Sequence, residues 1–236
     1  MAASRMLQRA WARMPATQRA QLLERAGASV NGFADATQQH GSLLQSWIRG
    51  REVRAFEHYP EGDVIDLRHG AQFYYHAHRD GSTEHGHLHL FWHATASGRR
   101  SRPRPGRPRW VRTAPTHLLA VSLDARGLPV GLFTVNHWVT EGHWFDAETT
   151  LGMIDRFRVD GLDGHEASCR WLAGFLRLYR PLIADLLIRR DRRLDRQADP
   201  VAARRAHSLE VLSASQVDWA ADLDQLERIA AAERRP

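Results

Sequence analysis

The chain has 236 residues, 43% of them hydrophobic, a length and composition that suffice for a sizeable core and exclude a wholly disordered polymer. All 33 basic residues are arginine, the net charge is +6, and Cys169 is the only cysteine. An internal disulfide framework is therefore excluded, and an arginine-only cation content reads as the coding bias of a GC-rich genome more than selection at each site.

The N-terminal residues MAASRMLQRAWARMPATQRAQLL are Arg-rich, with no acid before Glu24, yet they lack the apolar core of a secretory signal. No apolar run reaches the length that spans a bilayer. We expect a cytoplasmic protein that does not engage a membrane. Apolar residues at helical spacing, Leu7, Trp11 and Met14, then Leu43, Leu44, Trp47 and Ile48, predict two helices over residues 4 to 27 and 34 to 50. His58-Tyr59-Pro60-Glu61-Gly62-Asp63 reads as a turn-rich entry to the next region.

From Gln72 to His93 the chain reads QFYYHAHRDGSTEHGHLHLFWH, with His76, His78, His85, His87, His89 and His93 at alternate positions on either side of a polar break. Alternate residues of a strand project from one face. If the two halves form an antiparallel hairpin with His78 opposite His85, then His76 faces His87 and Tyr74 faces His89. Phe73, Tyr75 and Ala77 then share the other face with Leu88, Leu90 and Trp92. A one-residue slip would mix imidazoles into that apolar set and bury polar groups without partners.

Neutral imidazole is the commonest transition-metal ligand, so His76, His78, His85, His87 and His89 are candidate ligands for a divalent metal such as Zn or Fe. Glu84 is the candidate catalytic carboxylate, as ligand or general base. A metal-free, His-lined ligand pocket and a plain solvated polar face stand beside this reading, because the spacing matches no named motif: there is no HExxH, and Glu84 lies too far from His78 for a cupin.

Residues 94 to 115 include GRRSRPRPGRPRWVR, where proline removes backbone donors and restricts its neighbours, so a loop is expected. Its arginines and Trp110 make it the best candidate for nucleic-acid contact, a lid over the His face, or simply a solvated connector. Thr116 to Ser122 and Val130 to His137 predict a second hairpin about Asp124-Ala125-Arg126-Gly127-Leu128-Pro129. His117 and His137 could extend the His face, and Asp63, Asp66, Thr134 or Asn136 could orient a ligating imidazole.

Helices follow: Ala147 to Phe157, a long one from about Gly164 to Asp195 that Pro181 would kink or divide, and a last one from Ser215. Cys169 falls in an apolar helical pattern and reads as a buried structural thiol. Arg189, Arg190, Arg192, Arg193 and Arg196 interleave with Asp191 and Asp195 as a solvated helix end. There is no Gly-rich phosphate loop and no GxSxG elbow.

The strings HYP at 58 to 60, YYHAHR at 74 to 79, EHGHLHLF at 84 to 91, THLLAVSLDARGLPVGLFTVN at 116 to 136 and WVT at 138 to 140 resemble an uncharacterised bacterial domain family. The resemblance implies one unit over residues 58 to 144 and carries no catalytic residue across.

The expected fold is α+β, an antiparallel sheet of about four strands from two hairpins packed on helices from both termini. We expect one domain over 1 to 236, with N-terminal helices to residue 52, the His-rich sheet over 56 to 145 and C-terminal helices over 146 to 236. The function expected is that of a metal-binding protein, a metal-dependent enzyme acting on a small molecule. The competing expectation is a non-catalytic binding module for an anionic small molecule or nucleic acid.

Overall fold

The computed structural model describes residues 2–78, 83–93, 114–160 and 162–232. Most of the Arg- and Pro-rich segment read as a loop or lid lies outside the described residues, as does the tip of the His hairpin.

The N-terminal region opens with α1 (Ala2–Arg13) and α2 (Ala16–His40). Pro15 separates them, since the residue before proline is biased away from helical geometry. Arg19 secures the junction: it is 2% exposed and donates to the carbonyls of Trp11 (2.7 Å) and Met14 (2.8 Å), where Pro15 offers no backbone N–H. Gly41, at φ +89°, closes α2 with its N–H on the Thr37 carbonyl. The break at Pro15, the continuation of α2 through residues 28 to 33 and its end at Gly41 differ from the sequence expectation. The short α3 (Gln45–Ile48) then brings Trp47 into the core.

The sheet has six strands, in the order β1 (Tyr59–Asp66), β2 (Ala71–His76), β3 (Gly86–Trp92), β4 (Thr116–Leu123), β5 (Pro129–Val135) and β6 (Val211–Gln216), all antiparallel. The class is α+β as expected, but four strands become six. The turn-rich entry belongs to β1, where Gly62 and Asp63 take positive φ and the register to β2 is irregular between Tyr59 and Val64. A bulge of that kind breaks the alternation that would have marked a strand. The expected last helix is present as α9 (Trp219–Ala232) but begins at Trp219, because Ser215 still belongs to β6. Val211–Gln216 forms a strand through pairing with β5, a long-range contact that outweighs local preference.

Between β5 and β6 lie α4 (His137–Thr140), α5 (Ala147–Arg156), α6 (Glu166–Leu178), α7 (Arg180–Asp195) and α8 (Pro200–Ala203). Pro181 sits in the first turn of α7, where its missing N–H costs nothing, and the expected division of the long helix falls there. Helices α2 and α6 cross in close contact. A Cβ at Gly32 would lie 2.5 Å from the Trp171 nitrogen, and one at Gly174 would lie 2.3 Å from the Arg25 carbonyl.

One face of the sheet packs on these helices. Phe73, Tyr75, Leu88, Leu90, Trp92, Leu119, Val121 and Leu132 join Leu172, Phe175, Leu182, Ile183 and Leu186 in one apolar core. Trp47 sits at its centre, 6.0 Å from the rings of Phe73 and Tyr75 and 6.2 Å from Trp171. Each such side chain contributes roughly 1.5–3 kcal/mol on burial. At the end of α7, Arg190 corrects the reading of a solvated arginine run: it is 3% exposed, bonded to Asp191 and the Phe145 carbonyl, with its guanidinium over Trp144.

Candidate metal centre

The opposite face of the sheet carries the imidazoles. The β2–β3 register pairs Tyr74 with His89 and His76 with His87, while Phe73 meets Leu90 and Tyr75 meets Leu88, as the alternation predicts. His76, His87 and His89 are buried and each offers one ring nitrogen, all within 4.8 Å of one another. Tyr74, Phe91 and Phe133 stand beside them, with Phe133 edge-on to His87 at 5.1 Å between ring centroids.

Hydrogen bonds define how the rings are held. Glu84 Oε1 lies 2.7 Å from His87 Nδ1, so with a carboxylate there Nδ1 carries the proton and His87 Nε2 presents a lone pair. That lone pair faces His76 Nε2 at 2.8 Å. His89 Nδ1 is 2.9 Å from His117 Nε2. The structure thus brings Glu84 to the second nitrogen of a candidate ligand, an arrangement that fixes tautomer and ring orientation.

The other two candidates are placed differently. His78 lies at the edge of the cluster, its ring 5.0 Å from His76 and 5.2 Å from His87. His85 is exposed and turns away, with Nδ1 2.5 Å from the Tyr75 hydroxyl. Described pairing of β2 with β3 ends at His76 and His87, and β3 begins only at Gly86, so His85 is released from the alternation. Gly86 makes the detour possible, because a Cβ there would lie 2.3 Å from the Tyr75 hydroxyl oxygen.

His117 joins the cluster because β4 pairs it with Phe91 on the imidazole face, past a register shift that alternation counted from the sequence does not show. His137 does not join; it opens α4 and bonds the Gly142 carbonyl. The proposed orienting groups also serve elsewhere. Thr134 bonds Ser213 on the core side, Asn136 donates to the Ala203 carbonyl, and Asp66 binds His69.

A second polar chain shares the imidazole face. His58 Nδ1 meets Asp63 at 3.0 Å, Asp63 accepts from Gln72 at 2.6 Å, and Gln72 Oε1 meets His93 Nε2 at 2.6 Å. His58 stacks on Tyr74 with ring centroids 3.5 Å apart. Sequence reasoning passed over Gln72 and His58; the signal for Gln72 was its even spacing from Tyr74 and His76 on one strand.

Burial governs the protonation of this face. It pushes His117 down to about 3, assisted by the charges of Arg190 and His87, and holds His89 well below the ordinary imidazole range, assisted by His117, His87, His76 and His78. Burial, with Asp63 nearby, raises Tyr74 above the usual phenol range. Both imidazoles are therefore neutral at pH 7, the form that ligates metals.

The model of a family described as a domain of unknown function, DUF6969, matches residues 24–217, and the chain belongs to that family. The match runs from within α2 to just past β6 and so contains the whole imidazole face. Neither the curated proteins nor the solved structures yielded a match.

Proposed function

We propose that this member of a family of unknown function binds one divalent transition ion, zinc or iron, through His76, His87 and His89, and is a metal-dependent enzyme acting on a small molecule. The observation that carries the reading is the convergence of three buried imidazole nitrogens within 4.8 Å. Three protein ligands with one position left open is the donor set of catalytic zinc sites. The donors fit the ion: imidazole suits zinc and iron, and burial keeps His89 neutral. A shared tetrahedral ion sets ligand nitrogens about 3.3 Å apart, given metal–nitrogen distances near 2.05 Å. His76 and His87 would open by roughly half an ångström from their 2.8 Å contact to reach it.

When bound, such an ion supplies a Lewis acid that polarises a substrate oxygen or lowers the pKa of water. Glu84 holds the proton at His87 Nδ1 and aims Nε2 inward, which makes it a positioning residue. His117 does the same for His89. Tyr74, Phe91 and Phe133 limit water beside the three nitrogens. His78, at the edge of the cluster, is placed to meet a substrate entering from that side.

A second reading rests on the same 2.8 Å contact, which is already a satisfied hydrogen bond between His76 and His87. In that reading the face is a metal-free module for an anionic small molecule or nucleic acid. Elemental analysis of protein purified without a histidine tag separates the two. We expect close to one equivalent of metal per chain, lost in the His76→Ala/His87→Ala variant with its fold intact by circular dichroism. Metal-free protein that binds nucleic acid with strong salt dependence would replace the first reading with the second.

A further inference from the structure

On the helical side of the sheet, remote from the imidazoles, lies a cavity of about 720 Å³ between α2, α6, the β1–β2 turn and the end of α5. Small-molecule pockets typically enclose about 300–1,000 Å³. Six arginines line it, Arg25, Arg68, Arg156, Arg158, Arg170 and Arg177, against one carboxylate, Asp155.

Three of the six are committed to carboxylates. Arg177 is bound to Asp155, Arg170 to Asp35, and Arg158 to Asp160. The other three are not: among the described residues, Arg25, Arg68 and Arg156 make no side-chain ion pair. Arg156 is positioned by another means, its guanidinium 5.5 Å from the centroid of the Trp92 ring, a contact that uses the ring face and leaves the N–H donors free. With three of its six arginines outside any described ion pair, the lining carries an excess of positive charge.

Besides these charged groups the lining includes His69, which is bound to Asp66, and its remainder is apolar. Trp92 and Phe157 are each 3% exposed, and Ala28, Ala173 and Gly174 complete the wall. Gly174 keeps that wall open to the close approach of α2, since a side chain there would strike the Arg25 carbonyl. Ion pairing within the fold accounts for three of the arginines; among the described residues Arg156 has only its contact with Trp92, and Arg25 and Arg68 have no ion-pair partner.

We propose that this cavity binds a phosphorylated small molecule with an apolar body. The phosphate would be held by Arg25, Arg68 and Arg156, and the body would lie against Trp92, Phe157, Ala28 and Ala173. A phosphate ester carries close to two charges at neutral pH and three acceptor oxygens, which suits several guanidinium forks at once, whereas a single carboxylate offers one charge. The proposal is independent of metal at the imidazole face.

Calorimetric titration of the full chain tests it, with phenyl phosphate as probe beside inorganic phosphate, benzoate and phenol. We expect saturable binding of phenyl phosphate, at least tenfold tighter than any of the other three and weakened by added salt. The Arg25→Ala/Arg68→Ala variant, whose exposed side chains make no described ion pair, should fold normally and lose at least tenfold in affinity. Arg9→Ala/Arg13→Ala, which removes the same two charges from exposed positions on α1, serves as the control for net charge and should bind as the parent does. Binding of phenyl phosphate no tighter than benzoate, or equal affinity in the Arg25/Arg68 and Arg9/Arg13 variants, would overturn the proposal.

Discussion

The two faces of the sheet are written by the same alternation and do opposite work. Toward the helices, Phe73, Tyr75, Leu88, Leu90 and Trp92 bury apolar surface against α2, α3, α6 and α7. On the reverse, His76, His87 and His89 bury polar rings beside Tyr74 and Phe91, with their nitrogens bonded within the cluster, to His117 and to Glu84. The first arrangement is what a fold needs. The second adds little stability, because exchanging water for intramolecular hydrogen bonds nets only about 0.5–1.5 kcal/mol each. A face that costs desolvation and returns little stability fits the binding role proposed for it.

That contrast can be broken most forcefully from the core side. Trp171→Ala removes a fully buried ring packed against Trp47 and Phe175. The expected loss is about 3–5 kcal/mol by urea unfolding. Metal content per folded chain should be unchanged, and a parallel loss of both would show that the faces are not separable. The reciprocal test is zinc itself. Added at one hundred times its dissociation constant, zinc should stabilise the parent by about 2.7 kcal/mol and the His76→Ala/His87→Ala variant hardly at all. Equal stabilisation of both proteins would place the zinc elsewhere.

The two faces also differ in how far they could be read from the sequence. Period-two patterning from Phe73 to Trp92 sufficed for the β2–β3 register, hence for both the apolar set and the opposition of His76 to His87. It failed where regular pairing fails. His85 precedes the start of β3 and follows the Tyr75 hydroxyl, and His117 enters past a register shift in β4. Strands β1 and β6 were missed for related reasons, one interrupted by left-handed backbone at Gly62 and Asp63, the other formed by long-range pairing to β5. The arginine-lined cavity left no local trace at all, since its residues come from five separate parts of the chain.

Acid sharpens the comparison on a smaller scale, because each face holds a group whose folded pKa lies below its unfolded one. Burial pulls Asp66 upward, but bonds from the Asp160 N–H, the His69 ring and the His69 N–H outweigh it, and its pKa is lowered. Stability from Asp66 is therefore present above about pH 3.8 and lost below it. His117 and His89 are lowered by burial, so their contribution is present above 6.5 and drains away as pH falls toward about 3 for His117. Metal-free protein should accordingly weaken in two stages on acid titration of its unfolding midpoint. Asp66→Asn should cost roughly 1–3 kcal/mol at pH 7 and flatten only the more acidic stage. A single transition confined to the region below pH 4 would show that the imidazoles are not desolvated as described.

The smallest expected effect concerns Cys169, which sits in α6 on the core side of the sheet. It is 7% exposed, and burial pushes its thiol up to about 12, helped by Glu166 and by the more distant Asp160 and Asp66 and opposed only by a bond to Ser168. Thiolate is the reactive species, so at pH 8 the folded chain should be alkylated by iodoacetamide far more slowly than the urea-unfolded chain. Zinc loading of the imidazole face should slow the reaction further only in proportion to the global stability it adds, because Cys169 is exposed when the core opens. If zinc protected Cys169 beyond that proportion, the thiol would be reporting on the ion directly. The separation of a stabilising face from a binding face would then fail at the one residue able to sense both.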